Sequence, residues 1–290
     1  MLFLEDECGI SCRLIAVFVS FVGAWICYGM SCFVWNRASV MYRSLPADEK
    51  AAWDTRTVST LHSIVTGVWA IICLTSATYH MPSWSVGQPT SMYVLPAEAA
   101  HDAVLSNGTG DMGFASDSMI RGAKEFFFGG NYQMELMLCA SLGYFLQDSL
   151  VIMGVRGALW KYEDLVHHVT VLANLMTALI ARTFLPYITW VYLAELSTPL
   201  HNLRYYLERF GRSSMVLDAT FSLIFLVVRP ISFTWLIVHI VQHFELWSHS
   251  FAAYMILAVA CFFFALNYYW TLLVIRGIVD ALKPKKIKPE

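Results

Sequence analysis

The chain has 290 residues, of which 58% are hydrophobic and only 14% charged, with a mean hydropathy of +0.56. About a quarter of an ordinary soluble domain is charged, so this composition excludes a soluble enzyme and reads as a polytopic, all-α membrane helix bundle. The net charge of −2 says nothing about partners until the charges are assigned to loops.

A membrane-crossing helix needs roughly 20 mainly apolar residues. In chain order, seven segments meet that need: 14–35, 58–79, 134–154, 164–182, 184–204, 215–241 and 250–275. The first is longer than a signal-peptide core and its basic flank follows it, which makes it a retained anchor. Cys27, Cys32, Cys73, Cys139 and Cys261 fall in spans, leaving Cys8 and Cys12 as the pair placed for a disulfide. Segments 36–56, 155–163, 204–214 and 276–290 hold 14 of the 19 basic residues. The positive-inside rule then puts the N-terminus in the lumen and the C-terminus in the cytosol. The chain divides into a lumenal N-terminus, anchor and basic loop (1–55), a bundle (56–277) and a basic cytosolic tail (278–290).

Two short motifs agree with this orientation. Asn107-Gly108-Thr109 is a glycosylation sequon in the long 80–133 connection, which the charge count places in the lumen. The tail Lys286-Ile287-Lys288-Pro289-Glu290 resembles a KxKxx retrieval signal read by cytosolic coat proteins. The same residues also read as a basic tail held by anionic lipid head groups. There is no Gly-rich phosphate loop, no metal-spaced His/Cys set and no basic aromatic patch for nucleic acid.

The stretch "WKYEDLVHHVTVLANLMTALIA" (160–181) places two histidines in a membrane helix. Ionisable groups in hydrocarbon face a bundle interior or wet cavity and mark functional sites. At 1.5 Å of rise per residue, His167 and His168 lie about one turn inside the start of the fourth span, and His62 similarly inside the second. Asp148, Glu195, His201 and Asn267 fall within a few turns of the same side. These residues predict a polar cavity opening toward the cytosol. Adjacent His167 and His168 diverge by about 100°, so one faces the cavity and the other a neighbouring element. Structural roles are open for each residue: His62 as a packed core histidine, Asp148 as an interhelical partner, Arg229 as a cap for Pro230 or a counter-charge to an acid.

The chemistry open to such a cluster is acyl transfer or lipid recognition. An imidazole held by Glu195 or Asp148 can take a proton from an amine or hydroxyl, or accept an acyl group. A cavity of the same kind with no reaction binds or moves a lipid.

The ordered segments "RTVSTLHSI", "LGYFLQDSLVIM", "YEDLVHHVTVL", "LAELSTPLHNLRYYLE", "LIFLVVRP" and "LNYYWTLLVIRG" resemble the TLC domain over about residues 56–277. The family includes translocating-chain-associating proteins, ceramide synthases and the neuronal ceroid lipofuscinosis protein. For ceramide synthases the resemblance implies N-acylation of a sphingoid base by acyl-CoA in the endoplasmic reticulum, with His167 and His168 catalytic and Glu163 the acid four residues before them. The synthase motif has an aspartate where this chain has Trp160, and an HDxxD cluster where it has Ala194, Glu195 and Thr198. "AELSTP" followed by Asn202-x-Arg204 is most similar to the small TLC-domain-containing transmembrane proteins, a branch linked to lipid composition.

The reading is an endoplasmic-reticulum protein of sphingolipid and phospholipid homeostasis. The alternatives are an acyl-CoA-dependent N-acyltransferase and a non-enzymatic cargo or translocation factor. His167, His168, Glu195 and Asp148 are the candidate catalytic residues. His62, Glu163, His201, Asn202, Arg204, Arg229 and Asn267 are candidate substrate contacts. No tightly bound cofactor is expected, and the expected partners are membrane lipids, acyl-CoA, a sphingoid base and a coat protein at the tail.

Overall fold

The computed structural model describes residues 10–76, 130–154, 162–243 and 251–282. Asn107, Lys286, Lys288 and Cys8 lie outside them, as do residues 80–129 of the long connection and residues 283–290 of the tail. The described residues are helical: α1 (Ile10–Ala38), α2 (Val40–Ser44), α3 (Ala47–Ser76), α4 (Tyr132–Gly154) and α5 (Tyr162–Ala181) come first. Then follow α6 (Leu185–Val191), a 3-10 segment (Tyr192–Ser197), α7 (Thr198–Arg209), α8 (Met215–Gln242) and α9 (Phe251–Leu282).

Five of these helices are long and apolar enough to cross a membrane: α1, α3, α4, α8 and the stretch Tyr254–Ala281 of α9. The apolar part of α5, Leu165–Ala181, is shorter. The segment 184–204, expected as one continuous span, is instead broken into α6, the 3-10 segment and α7. Two prolines give the reason. Pro186 and Pro199 both sit in the first turn of a helix, where a missing N–H costs nothing. Within one continuous helix Pro199 would be unable to donate to the Glu195 carbonyl. Thr198 N–H takes that carbonyl in the tighter i+3 pattern instead. The turn into α6 is also unusual, with Arg182 and Phe184 both left-handed at φ of 51° and 62°, a conformation few residues with a Cβ adopt.

Helix ends are capped by side chains. Ser39 Oγ accepts from Tyr42 N–H (3.1 Å), Asn131 Oδ1 from Met134 N–H (2.9 Å) and Ser214 Oγ from Leu217 N–H (3.3 Å). Each satisfies an amide that the helix leaves without a partner.

The helix α1 packs on α4 and α3, α5 on α4 and α9, and α8 on α9 and the 3-10 segment. Between α1 and α4 the contact is backbone to backbone. A Cβ at Gly143 would run into the Val17 carbonyl oxygen and lie 2.8 Å from Phe21 N. Ser20 Oγ reinforces the crossing by donating to the Ala140 carbonyl. Small residues at such crossings are how membrane helices gain contact, since lipid tails are as apolar as the side chains. The remaining face of α1 presents Ile15, Phe18, Val19 and Ile26 outward.

The bundle is tied at both ends. At one, the buried Glu135 carboxylate joins α1 to the α5–α6 turn through Arg13 (2.8 Å) and Arg182 (3.1 Å), and Cys12 is disulfide-bonded. At the other, Trp53 is fully buried among Trp35, Tyr42, Tyr206 and Phe210, with ring centroids 4.5 to 6.0 Å away. Next to it the buried Asp54 accepts from Ser31 Oγ (2.6 Å), Cys32 Sγ (3.0 Å) and the Tyr42 hydroxyl. Burial, and then the Asp54 carboxylate, push the Tyr42 hydroxyl well above its ordinary range, so it stays protonated and donating.

Candidate functional site

The two adjacent histidines of α5 point to different neighbours. His168 is buried against α4, with Nε2 2.6 Å from Asp148 Oδ2. Tyr144, one turn earlier on α4, donates to the same oxygen at 3.4 Å. His167 turns the other way, edge-on to Phe263 (5.4 Å between centroids) and Trp270 (5.9 Å) of α9. Its Nδ1 is buried and has no hydrogen-bond partner.

The break in the 184–204 segment supplies the next part of the site. Glu195 sits within the 3-10 segment, where its Oε2 accepts from Ser63 Oγ of α3 (2.9 Å) and Thr198 Oγ1 (3.0 Å). Two residues on, Ser197 Oγ accepts from Arg229 Nε (3.0 Å). Arg229 also donates from Nη1 to Asn267 Oδ1 (3.0 Å) and lies over the rings of Phe225 and Trp270. Pro230 follows it in α8.

His167, Glu195, Arg229 and Asn267 all line one cavity between α5, α8, α9 and the broken segment. From that polar end the wall continues along one face of each helix. On α8 it runs through Arg229, Phe233, Leu236 and Ile240, and on α9 back from Trp270, Asn267, Phe263 and Ala260 to Ile256. Steps of three and four residues keep one helix face on the cavity. The eleven helical steps from Arg229 to Ile240 make it roughly 16 Å long. It is narrow, with about 80 Å³ of free space, against a few hundred for a pocket that holds a bulky ligand. The shape is a slot with one charged end and an apolar length, suited to a single alkyl chain.

The other candidates lie elsewhere. His62 stacks on Tyr144 with centroids 3.9 Å apart and is outside the cavity lining. Asn202 is buried and ties α7 to α3, donating to the Arg56 carbonyl (3.2 Å) and Thr60 Oγ1 (3.0 Å). Arg204 pairs with Asp218 across the α7–α8 turn. His201 is exposed, with its ring near Phe221. The Glu163 side chain is not among those described. Sequence reasoning missed Ser63, Ser197 and Thr198, which hold the two charges, and Asn174, whose buried Oδ1 has no partner and which lines the cavity. The signal for Asn174 was there: it lies seven residues, two helical turns, beyond His167. Among the described residues no group of three or more His, Cys, Asp or Glu is placed to hold a metal ion.

Residues 52–276 match the family model of the TLC domain, which covers more than half of the chain. The chain belongs to the TLC domain family. No curated protein and no solved structure matches it. With its five long apolar helices, this TLC-domain chain is a multipass integral membrane protein. The TLC domain encompasses α4 to α8, nearly all of α3 and most of α9, and therefore every residue of the cavity.

Proposed function

We propose that this TLC-domain protein serves membrane-lipid homeostasis in the endoplasmic reticulum by taking a single lipid chain into the slot between α5, α8 and α9. In this reading the chain crosses the membrane seven times, with a lumenal N-terminus and a cytosolic C-terminus. The excess of Lys and Arg on one set of loops supports that orientation. The segment 185–209 stays helical through its 3-10 stretch, and such local changes of winding beside a proline are tolerated in membrane helices, so it counts as a crossing. The Lys286-Ile287-Lys288 tail supports residence in the early secretory pathway.

One observation carries binding ahead of catalysis. The imidazole that a carboxylate holds, His168 on Asp148, is outside the cavity lining. The imidazole that lines the cavity, His167, has no carboxylate partner to orient it or to stabilise its protonated form. General-base and nucleophilic mechanisms need an oriented base within reach of the reacting atoms, and the oriented imidazole here is not the one on the cavity. The short His168–Asp148 contact is the feature that favours the second reading, an acyl-CoA-dependent N-acyltransferase.

The test uses purified protein in lipid nanodiscs with labelled acyl-CoA, a panel of amine and hydroxyl acceptors and a direct measurement of bound single-chain lipid. Stoichiometric lipid binding without transfer product is expected. Leu236→Trp, which fills the slot, should abolish binding, and His167→Ala should weaken it about tenfold, the upper end of what one neutral hydrogen bond contributes. Product formed by wild type and lost in His167→Ala would make the protein an acyltransferase. Function in cells that depends on Lys286 and Lys288, with no lipid bound by the purified protein, would leave the cargo-factor reading.

A further inference from the structure

Glu195 and Arg229 carry opposite charges on one wall, yet they form no ion pair with each other. Both are tethered to the same short stretch: Arg229 through Ser197 Oγ, and Glu195 through Thr198 Oγ1. Every other hydrogen bond that either makes is to a neutral group, Ser63 for Glu195 and Asn267 for Arg229. Glu195 Oε1 and Arg229 Nη2 make no hydrogen bond at all. A carboxylate and a guanidinium held apart in an apolar bundle give up much of their mutual attraction while still losing solvation. Neutral partners fix that separation, because each neutral oxygen satisfies one site on the charged group and occupies the direction in which it would otherwise turn.

A ligand with a cationic and an anionic group in one head would bridge the gap and satisfy both open valences. We propose that the slot selects a single-chain lipid with a zwitterionic head, its anion on Arg229 and its protonated amine on Glu195. This rests on the lipid-binding reading of the same cavity and names the head that goes with the chain. A phosphate or carboxylate can supply the anion, since the open Arg229 Nη2 donates a charge-assisted hydrogen bond to either. The amine must keep an N–H, because Glu195 Oε1 is an acceptor. His167, which lines the same cavity and whose Nδ1 has no hydrogen-bond partner, is the uncharged group to take a hydroxyl of the linker between head and chain. The 16 Å apolar run from Arg229 to Ile240 takes the chain. A second chain has no place in a slot this narrow.

The head panel can be run on wild-type protein in nanodiscs, so it does not depend on any variant folding. Four probes share one chain length: a lysophospholipid with an ethanolamine head, one with a choline head, the free fatty acid and the long-chain primary amine. The ethanolamine head is expected to bind about tenfold tighter than each of the other three, each of which lacks one charge-assisted hydrogen bond. With Glu195→Gln, in protein shown to be folded by its unfolding midpoint, the ethanolamine and choline heads should become equal. With Arg229→Gln, the ethanolamine head should lose its advantage over the primary amine. A primary amine that binds as tightly as the zwitterion would overturn the assignment of the anion to Arg229. Equal affinity for all four heads would overturn the zwitterion while leaving chain binding intact, and no binding of any probe would remove both.

Discussion

Gly143→Ala is expected to lower the stability of the bundle by about 3 kcal/mol, the upper part of the usual range for overpacking. The added methyl meets the Val17 carbonyl and the Phe21 amide of α1, both backbone atoms that no rotamer change can move aside. The helix α1 must therefore back away from α4 as a unit, giving up the Ser20 to Ala140 hydrogen bond and the close contact that drives association in lipid. Gly67→Ala is the matched control. Its methyl meets Leu196 Cδ2 at 2.7 Å, the end of a side chain that can rotate, so a cost below about 1.5 kcal/mol is expected. Unfolding of both variants in nanodiscs, followed by tryptophan fluorescence, measures the difference. Equal midpoints would mean that the α1–α4 crossing is not the tight contact described.

The histidine pair offers a second large effect, and a separation of roles. His168→Ala leaves the Asp148 carboxylate buried without its short hydrogen bond, and a loss of about 3–5 kcal/mol is expected from stranding a buried charge. Adding Asp148→Asn to His168→Ala should recover much of that loss, since the neutral amide carries no charge to strand. His167→Ala, by contrast, removes a ring whose Nδ1 has no partner, and should leave the unfolding midpoint within a few degrees of wild type. Its effect belongs to ligand binding. A double-mutant cycle on unfolding gives the His168–Asp148 coupling directly. If His167→Ala proved as destabilising as His168→Ala, the two rings would not have the separate duties assigned to them.

Much of the fold was legible because composition and length decide it. Apolar runs of about twenty residues read as helices whatever their neighbours, and α1, α3, α4, α8 and α9 lie where the runs are, with ends differing by up to eleven residues. The largest such difference is at α3, which begins at Ala47 rather than 58. Asp48, Glu49, Lys50, Asp54 and Arg56 lowered the apparent hydropathy of a turn sequence that is nonetheless helical and packed around Trp53. The broken segment was misread because hydropathy is blind to backbone breaks; Pro186 and Pro199 were the only local sign. In the candidate site, depth along each helix brought His167, Glu195 and Asn267 under consideration together, while Arg229 was singled out only as a cap for Pro230 or a counter-charge to an acid. It could not give rotation about the helix axis, which decides that His62 stacks on Tyr144 and that His201 is exposed. Nor could it find Ser63, Ser197 or Thr198, small hydroxyl residues whose importance comes only from the charges they meet.

Trp53 bears on how the protein is made. Its backbone carbonyl accepts from the Tyr206 hydroxyl, a residue 153 positions later in the chain, and at about 5–20 residues per second that gap is roughly eight to thirty seconds of synthesis. Throughout that interval the N-terminal hairpin has a large indole with half of its aromatic surroundings missing. Asp54 waits on nothing: Ser31, Cys32 and Tyr42 all precede it on the ribosome. The nascent hairpin is thus electrostatically complete but unfinished in its apolar packing, and what the ribosome leaves open until α7 emerges is a docking surface for the chain's own later half.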